Sequence, residues 1–371
     1  MKVIVYIGHH KVGSTALQVF LSQNSHRLLT NGILYPWVEM RGAAHALGKA
    51  AGEGDRAEVL PVNIREPHSA LAYKMMADRA DRPVPSQFQT LPHPGQMFLG
   101  IRQQIAVLKP HTVILCSEAF SNFGAVDPNL ISDLLDQFPQ ADLRLYCALR
   151  RPDEYVVSWH GQRIKVGEPV AQLMPAGASE YFDTIHFNFR LAVEAWLERV
   201  PEGAMRLRNY ADVRAAGGSE IDFMRESGVE LPEGMLPVEP ANPSLPHAAF
   251  EIVRRAFAAL PRRSAMPLAR FILNQSERLG FPRNSDVELL GEAQRREMAD
   301  RFVPIHGYLS QKAAVAQFFP DIAAMTECRP IPAQEAMRQS LDALSPDVLE
   351  DLASDSARDF ILELRRTWRP D

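Results

Sequence analysis

Apolar positions follow two patterns along the chain, changing near residue 245. Before that point, short unbroken apolar runs alternate with stretches of helical spacing. Val3-Ile4-Val5-Tyr6-Ile7 is such a run, rich in β-branched residues, and predicts a strand buried on both faces. Ala16, Leu17, Phe20, Leu21, Leu28 and Leu29 then recur at helical spacing, and Asn31-Gly32 supplies a stop. Gly32-Ile33-Leu34-Tyr35-Pro36 reads as a short extended piece. Thr112-Val113-Ile114-Leu115-Cys116 and residues 143–149 predict two more buried strands, and residues 205–210 a fourth. Helices are expected at 96–108, 129–138, 152–165, 188–199 and 219–226. Strands alternating with helices predict an α/β fold, with a mainly parallel sheet covered on both faces.

Residues 41–95 interrupt this order. Alanine-rich helical stretches at 43–51 and 70–80 are followed by prolines at 83, 85, 92 and 94, which we read as an insertion near the functional face. Residues 231–246 hold five prolines and predict a linker. Beyond it the pattern is helical, at 247–260, 266–279, 286–302, 304–318, 333–343 and 354–367. The expected organisation is an α/β core over 1–245 and a helical cap or subdomain over 246–371.

Composition narrows the classes. Hydrophobic residues are 46% and charged residues 23% of 371, as in ordinary globular chains large enough for one big domain or two. The net charge of −5 argues against nucleic acid or an anionic membrane as the main partner. Cys116, Cys147 and Cys328 show no C-x-x-C spacing, so neither a zinc site nor a disulfide framework is indicated. No stretch has the length of a membrane span, and the first apolar run is too short for a signal peptide. A cytoplasmic protein without stable membrane insertion is expected. Its oligomeric state is open.

The loop Gly8-His9-His10-Lys11-Val12-Gly13-Ser14-Thr15 joins the first strand to the first helix. Gly8 and Gly13 allow a tight turn and a close backbone approach. The free N–H groups of a helix start, with the positive end of its dipole, favour an anion. Lys11 adds a full charge, and Ser14 and Thr15 add hydroxyl donors. Together these suit a phosphate or sulfate group. The glycines match the spacing G-x-x-x-x-G-K-[ST], but Ser14 stands where that motif has lysine, and the lysine lies inside the loop. A plain strand–turn–helix junction is the bland alternative. Arg150-Arg151-Pro152-Asp153-Glu154 begins a second informative stretch, with Ser158 about two turns into the following helix. An arginine leaving a strand's carboxyl end suits a second phosphate, to which a serine can add a bond.

Lys-x-Gly-Ser-Thr after a strand resembles the 5′-phosphosulfate loop of sulfotransferases that take 3′-phosphoadenosine 5′-phosphosulfate as donor. Arg150 and Ser158 resemble their 3′-phosphate motif. Residues 11–18, Asn24, residues 32–36, Ser117-Glu118 and Asn242-Pro243-Ser244-Leu245 are similar to the bacterial sulfotransferase family over about residues 1–245. Val12 and Ser14 stand where that family commonly has threonine. The resemblance implies a P-loop-type three-layer α/β sandwich. It implies that Gly8, Lys11, Val12, Gly13, Ser14 and Thr15 bind the phosphosulfate. Arg150 (or Arg151) and Ser158 would bind the 3′-phosphate, with Asn242 and Ser244 near the nucleotide. The acceptor, whether glycan, lipid or small metabolite, is not identified by the sequence.

Catalytic roles are expected for Lys11 and for Glu118, which follows a strand on the rim of the phosphosulfate loop. The resemblance favours Glu118 as the base, with His45 or His9 as substitutes; an ion pair or a turn cap is its structural alternative. No acidic residue stands in the loop and no metal-ligand cluster is visible, so transfer without a metal is expected. His10 and His160 are lesser candidates for contact with the donor. Two competing readings are a P-loop kinase, with Glu118 at a Walker B-like strand end, and a nucleotide-binding module without catalysis.

Overall fold

The computed structural model describes residues 1–51, 61–88, 90–238 and 244–368. The chain divides into two compact units. The first contains Met1–Arg150, Asn188–Ala241 and Pro304–Phe319, and the second Arg151–Phe187, Asn242–Val303 and Pro320–Asp371. This division does not follow the expected boundary at 245, since residues 151–187 group with the later part of the chain and 304–319 with the earlier.

The first unit is built on five strands: β1 (Lys2–Gly8), β2 (Ile33–Leu34), β3 (Thr112–Cys116), β4 (Asp142–Leu149) and β5 (Met205–Asn209). All pair in parallel, in the order β2-β3-β1-β4-β5. The unbroken apolar run of β1 is explained by its central place: residues 3–7 are buried because strands flank both edges and helices cover the faces. On one face Ile4, Tyr6, Ile114, Cys116, Tyr146 and Ala148 meet Leu17, Phe20 and Leu21 of helix α1 (Ser14–Gln23). Phe223 and Met224 of the helix Ser219–Glu226 join them. Helix and strand periodicities thus converge on one core.

The crossover after β1 runs towards the β2 edge, whereas those after β3 and β4 step towards β5. Right-handed connections therefore leave from opposite faces. In the β3–β4 and β4–β5 connections, Phe123 stacks on Trp196 with ring centroids 6.1 Å apart, and Trp196 Nε1 donates to the Phe120 carbonyl at 3.3 Å. The architecture is α/β and compatible with a three-layer sandwich. The extended piece at 32–36 contributes only the two residues of β2, at the sheet's edge.

The second unit is almost wholly helical among the described residues. Its longer helices include Pro152–Lys165, Phe250–Ala259, Arg262–Gln275, Ala333–Ala343 and Asp355–Thr367. A two-residue parallel pair, β6 (Val287–Glu288) with β7 (Ile331–Pro332), is its only sheet among the described residues. The helices expected at 286–302 and 304–318 form a single helix, Glu292–Ala313, with Pro304 inside it. A proline removes one backbone donor, but burial of Met298, Phe302, Ile305 and Leu309 at helical spacing carries the helix across it. Among the described residues no helix is long and apolar enough to cross a membrane.

Candidate functional site

The loop at 8–13 leaves the carboxyl end of the central strand. Beside it, β3 ends at Cys116 and leads through Ser117 into a tight turn, Glu118–Asn122. Since crossovers leave β1 and β3 in opposite directions, their adjacent ends form the crevice where open α/β sheets bind ligands.

Backbone conformation at three loop positions is special. Gly8 has φ +123° and Gly13 φ +83°, and Lys11 adopts φ +60° without being glycine. A Cβ on Gly8 would stand 3.3 Å from both the Cα and the carbonyl oxygen of Glu118, a tight contact that adds to the positive φ in favouring glycine where loop and turn approach. The loop is tied down by two bonds to its surroundings and one within itself. The His9 amide donates to the Ala148 carbonyl at 2.9 Å, the His10 amide to His9 Nδ1 at 2.8 Å, and Ser219 Oγ to the Val12 carbonyl at 2.8 Å. Burial, then the neighbouring Lys11 charge, lowers the His10 pKa to about 4.

At the start of α1 no side chain caps the helix and no acidic residue lies in the first turn. Its end thus keeps the character of an anion site, with Lys11 and Thr15 both partly exposed there. Val12 is fully buried in the core with Leu17 and Phe20. This accounts for an apolar residue where a hydroxyl was expected; only its backbone faces the loop's chemistry.

Glu118 lies on the far side of Gly8 and keeps some exposure. Its carboxylate accepts from Gln18 Nε2 of α1 at 2.9 Å. Burial raises its pKa, opposed by the hydrogen bonds from its own backbone, Gln18 and Ser14 and by the Arg65 charge. Gln18 Nε2 also donates to Ser69 Oγ at 3.1 Å, and Ser69 Oγ lies 2.9 Å from Ser117 Oγ. Ser69 belongs to the helix Pro67–Ala80, so the stretch read as an insertion supplies part of the site. Next to it, Glu66 is paired with Arg65 at 2.6 Å; burial and then the Glu118 charge raise its pKa.

The other candidates distribute as follows. Arg150 ends the first unit's opening segment and lies over the Tyr210 ring, 5.8 Å from its centroid. Ser158 is partly exposed on the helix Pro152–Lys165 of the second unit, so the expected pair is not joined within one unit. Arg151 is committed elsewhere: buried, it pairs with Asp153 at 2.7 Å. Asp153 in turn meets Arg295 at 3.4 Å, and Arg295 meets Glu288 at 2.9 Å. His45 packs edge-on against Trp37 with centroids 6.4 Å apart. His160 is buried in the second unit, with Nδ1 2.8 Å from the Tyr181 hydroxyl. Asn242 lies outside the described residues, and Ser244 is exposed.

Gln18, Ser69, Tyr210 and Ser219 were not singled out by the sequence. One signal was present: Ser14, Gln18, Ser22 and Ser25 form a polar stripe at near-helical spacing, and all four are buried. Among the described residues, no group of three or more His, Cys, Asp or Glu side chains is arranged to hold a metal ion.

No family model matches the chain, and no solved structure matches it. It is similar to an "Uncharacterized protein" of Archaeoglobus fulgidus, 27% identical over 147 residues. That match spans 38% of this chain and 37% of the relative's length.

Proposed function

We propose that the protein is a sulfotransferase, moving a sulfuryl group from 3′-phosphoadenosine 5′-phosphosulfate to a hydroxyl or amine of an acceptor, on a P-loop-type three-layer α/β sandwich. One observation carries this reading: an uncapped helix start with a lysine inside its loop lies beside a carboxylate clamped to the same helix. Lys11 and the first-turn N–H groups suit the donor's phosphosulfate, and Arg150 of the same unit its 3′-phosphate. As the acceptor oxygen bonds sulfur and the bond from sulfur to the 5′-phosphate oxygen breaks, negative charge grows on that phosphate, where Lys11 stabilises it. Glu118 takes the acceptor's proton.

A second reading, a P-loop kinase, is favoured by the strand-end Glu118 lying against Gly8 of the loop. In kinase-like P-loop proteins a magnesium ion is held between a loop Ser or Thr and a strand-end carboxylate. The Ser at position 14 in place of lysine counts against it.

Calorimetry with 3′-phosphoadenosine 5′-phosphate, AMP and ATP tests the donor. The bisphosphate is expected to bind far more tightly than AMP, and Lys11→Ala to weaken it by about 2–4 kcal/mol, because a charge partner of a partly desolvated anion is lost. Equal affinity for AMP would sink the assignment. Transfer to an acceptor that survives EDTA supports the sulfotransferase; activity restored only by magnesium supports the kinase.

A further inference from the structure

We propose that the helical second unit binds a small monocarboxylate with an apolar body, in the cavity lined from the helices Pro152–Lys165, Phe250–Ala259 and Ala333–Ala343, with Arg254 holding the carboxylate. Every residue lining this cavity belongs to the second unit, and the proposal is independent of the sulfotransferase reading.

The cavity has about 410 Å³ of open space counted to its mouth, a volume in the range of small-molecule sites. Ile164, Leu173, Met174, Phe250, Leu289 and Met337 make its walls apolar. Those walls are fixed by contacts outside the cavity. The Phe250 ring seats on Gly161, where a Cβ would lie 2.4 Å from Cζ. The Leu173 carbonyl accepts from Gln294 Nε2 at 2.9 Å and from the Gly177 amide at 2.6 Å.

Two polar groups lining the cavity are incompletely bonded. His160 is 2% exposed, and its Nδ1 lies 2.8 Å from the Tyr181 hydroxyl. Its Nε2 has no hydrogen-bond partner among the described residues. Burial, then the Arg163 and Arg254 charges, lower its pKa to about 4, so at neutral pH it offers a polar contact without a charge. Arg254 uses Nε and Nη2 on Glu251, at 2.7 and 2.8 Å, while its Nη1 has no hydrogen-bond partner among the described residues. Polar groups in an apolar setting cost free energy until something bonds them.

The charges select the ligand. Both Glu251 oxygens are taken, Oε2 by Arg254 Nε and Oε1 by Arg254 Nη2 and by Arg255 Nε at 2.5 Å. Burial alone would raise the Glu251 pKa, but these bonds hold it below its ordinary value. Its carboxylate is thus ionised and already satisfied, which leaves no acceptor for an amine. Arg254 Nη1 is a charged donor that suits a carboxylate oxygen. One half-used guanidinium among apolar walls matches a monoanion, whereas a phosphate dianion needs more counter-charge than lines the cavity.

The test is NMR on the full chain with 13C-methyl methionine. The Met174 and Met337 signals are assigned by their loss in Met174→Leu and Met337→Leu. The probes share one body: 3-phenylpropionate, 3-phenyl-1-propanol and 3-phenylpropylamine, at neutral pH. In the wild type the acid is expected to shift both signals saturably and to bind about tenfold or more tightly than the alcohol, with the amine weakest. Arg254→Met keeps the apolar stem and leaves Glu251 paired with Arg255, and should reduce the acid to the alcohol's affinity. Arg254→Gln serves should that variant not fold. Ala333 is partly exposed at the start of its helix, so Ala333→Phe, or the milder Ala333→Leu, should fill the space and abolish binding. The proposal is overturned if the acid gives no saturable shift or if the alcohol or amine binds as tightly. It is equally overturned if the acid's advantage survives Arg254→Met, or if binding survives the filled cavity.

Discussion

Ser219 Oγ occupies the space a Cβ on Gly13 would need, and from there it donates to the Val12 carbonyl at 2.8 Å. The last turn of the anion loop is therefore moulded around a side chain about 200 residues away in sequence.

Gly13→Ala meets two costs, the overlap with Ser219 and a φ of +83°. Equilibrium denaturation should show a loss of about 1–3 kcal/mol. Adding Ser219→Ala removes the overlap but not the strain. The double variant should thus be more stable than the sum of the single effects; strict additivity would show that the overlap does not matter.

Glu118→Gln keeps the shape and removes the basicity. With the true acceptor, kcat should fall by about 100-fold or more while nucleotide affinity stays nearly unchanged. Stability should move the other way. Burial raises the Glu118 pKa above its ordinary 4.5, so ionising the wild-type carboxylate weakens the fold from pH 4.5 upward, with the full penalty above the raised value. The variant should melt higher at neutral pH, and its advantage should fade as pH falls from that raised value towards 4.5 and be absent below 4.5. Normal turnover by the variant would rule Glu118 out as the base.

Two buried histidines of the first unit make acid stability predictable. Burial lowers His10 from 6.5 to about 4 and His68 from 6.5 to about 3, and His68 Nδ1 accepts from the Cys116 amide at 3.1 Å. The unfolded chain takes up these protons below pH 6.5 while the native state does not. Stability is present above that value and lost on descending through the folded pKa, at about 1.4 kcal/mol per pH unit for each histidine. His68→Gln keeps an acceptor for the amide and should flatten the pH dependence of the denaturation free energy between pH 6.5 and 3. An unchanged slope would show that His68 is not the group responsible.

The adjacent arginines should separate function from stability. Arg151→Met breaks a buried pair with Asp153 and is expected to cost about 3–5 kcal/mol in denaturation. Arg150→Ala, partly exposed over Tyr210, should leave stability nearly unchanged and weaken 3′-phosphoadenosine 5′-phosphate binding by about 2–4 kcal/mol in calorimetry. Exchanged outcomes would assign the second phosphate to Arg151.

What could be read from the sequence follows the range of the forces involved. β1, the loop and the start of α1 at Ser14 are consecutive, and their apolar spacing and glycines specify them locally. Glu118 could be placed at a strand end from its apolar run alone. Its clamp could not, because Gln18, Arg65 and Ser69 come from segments about 50 to 100 residues away, and no spacing rule links them. Arg150 and Arg151 look alike in sequence; only the carboxylates that gather around Arg151 tell them apart. Pro304 misleads for a related reason, since apolar burial on both sides of it outweighs one missing hydrogen bond.

The strand order has a consequence for biosynthesis. β1 emerges from the ribosome before the strands that flank it, since Lys2 pairs with Thr112 on one side and Asp142 on the other. A nascent chain that displays residues 1–15 has nothing to pair them with, and closing loops of that length slows folding. Ser219 completes the turn later still. The anion loop is thus synthesised well before the strands and the side chain that shape it, and a translation product truncated before residue 219 lacks the contact that completes its turn.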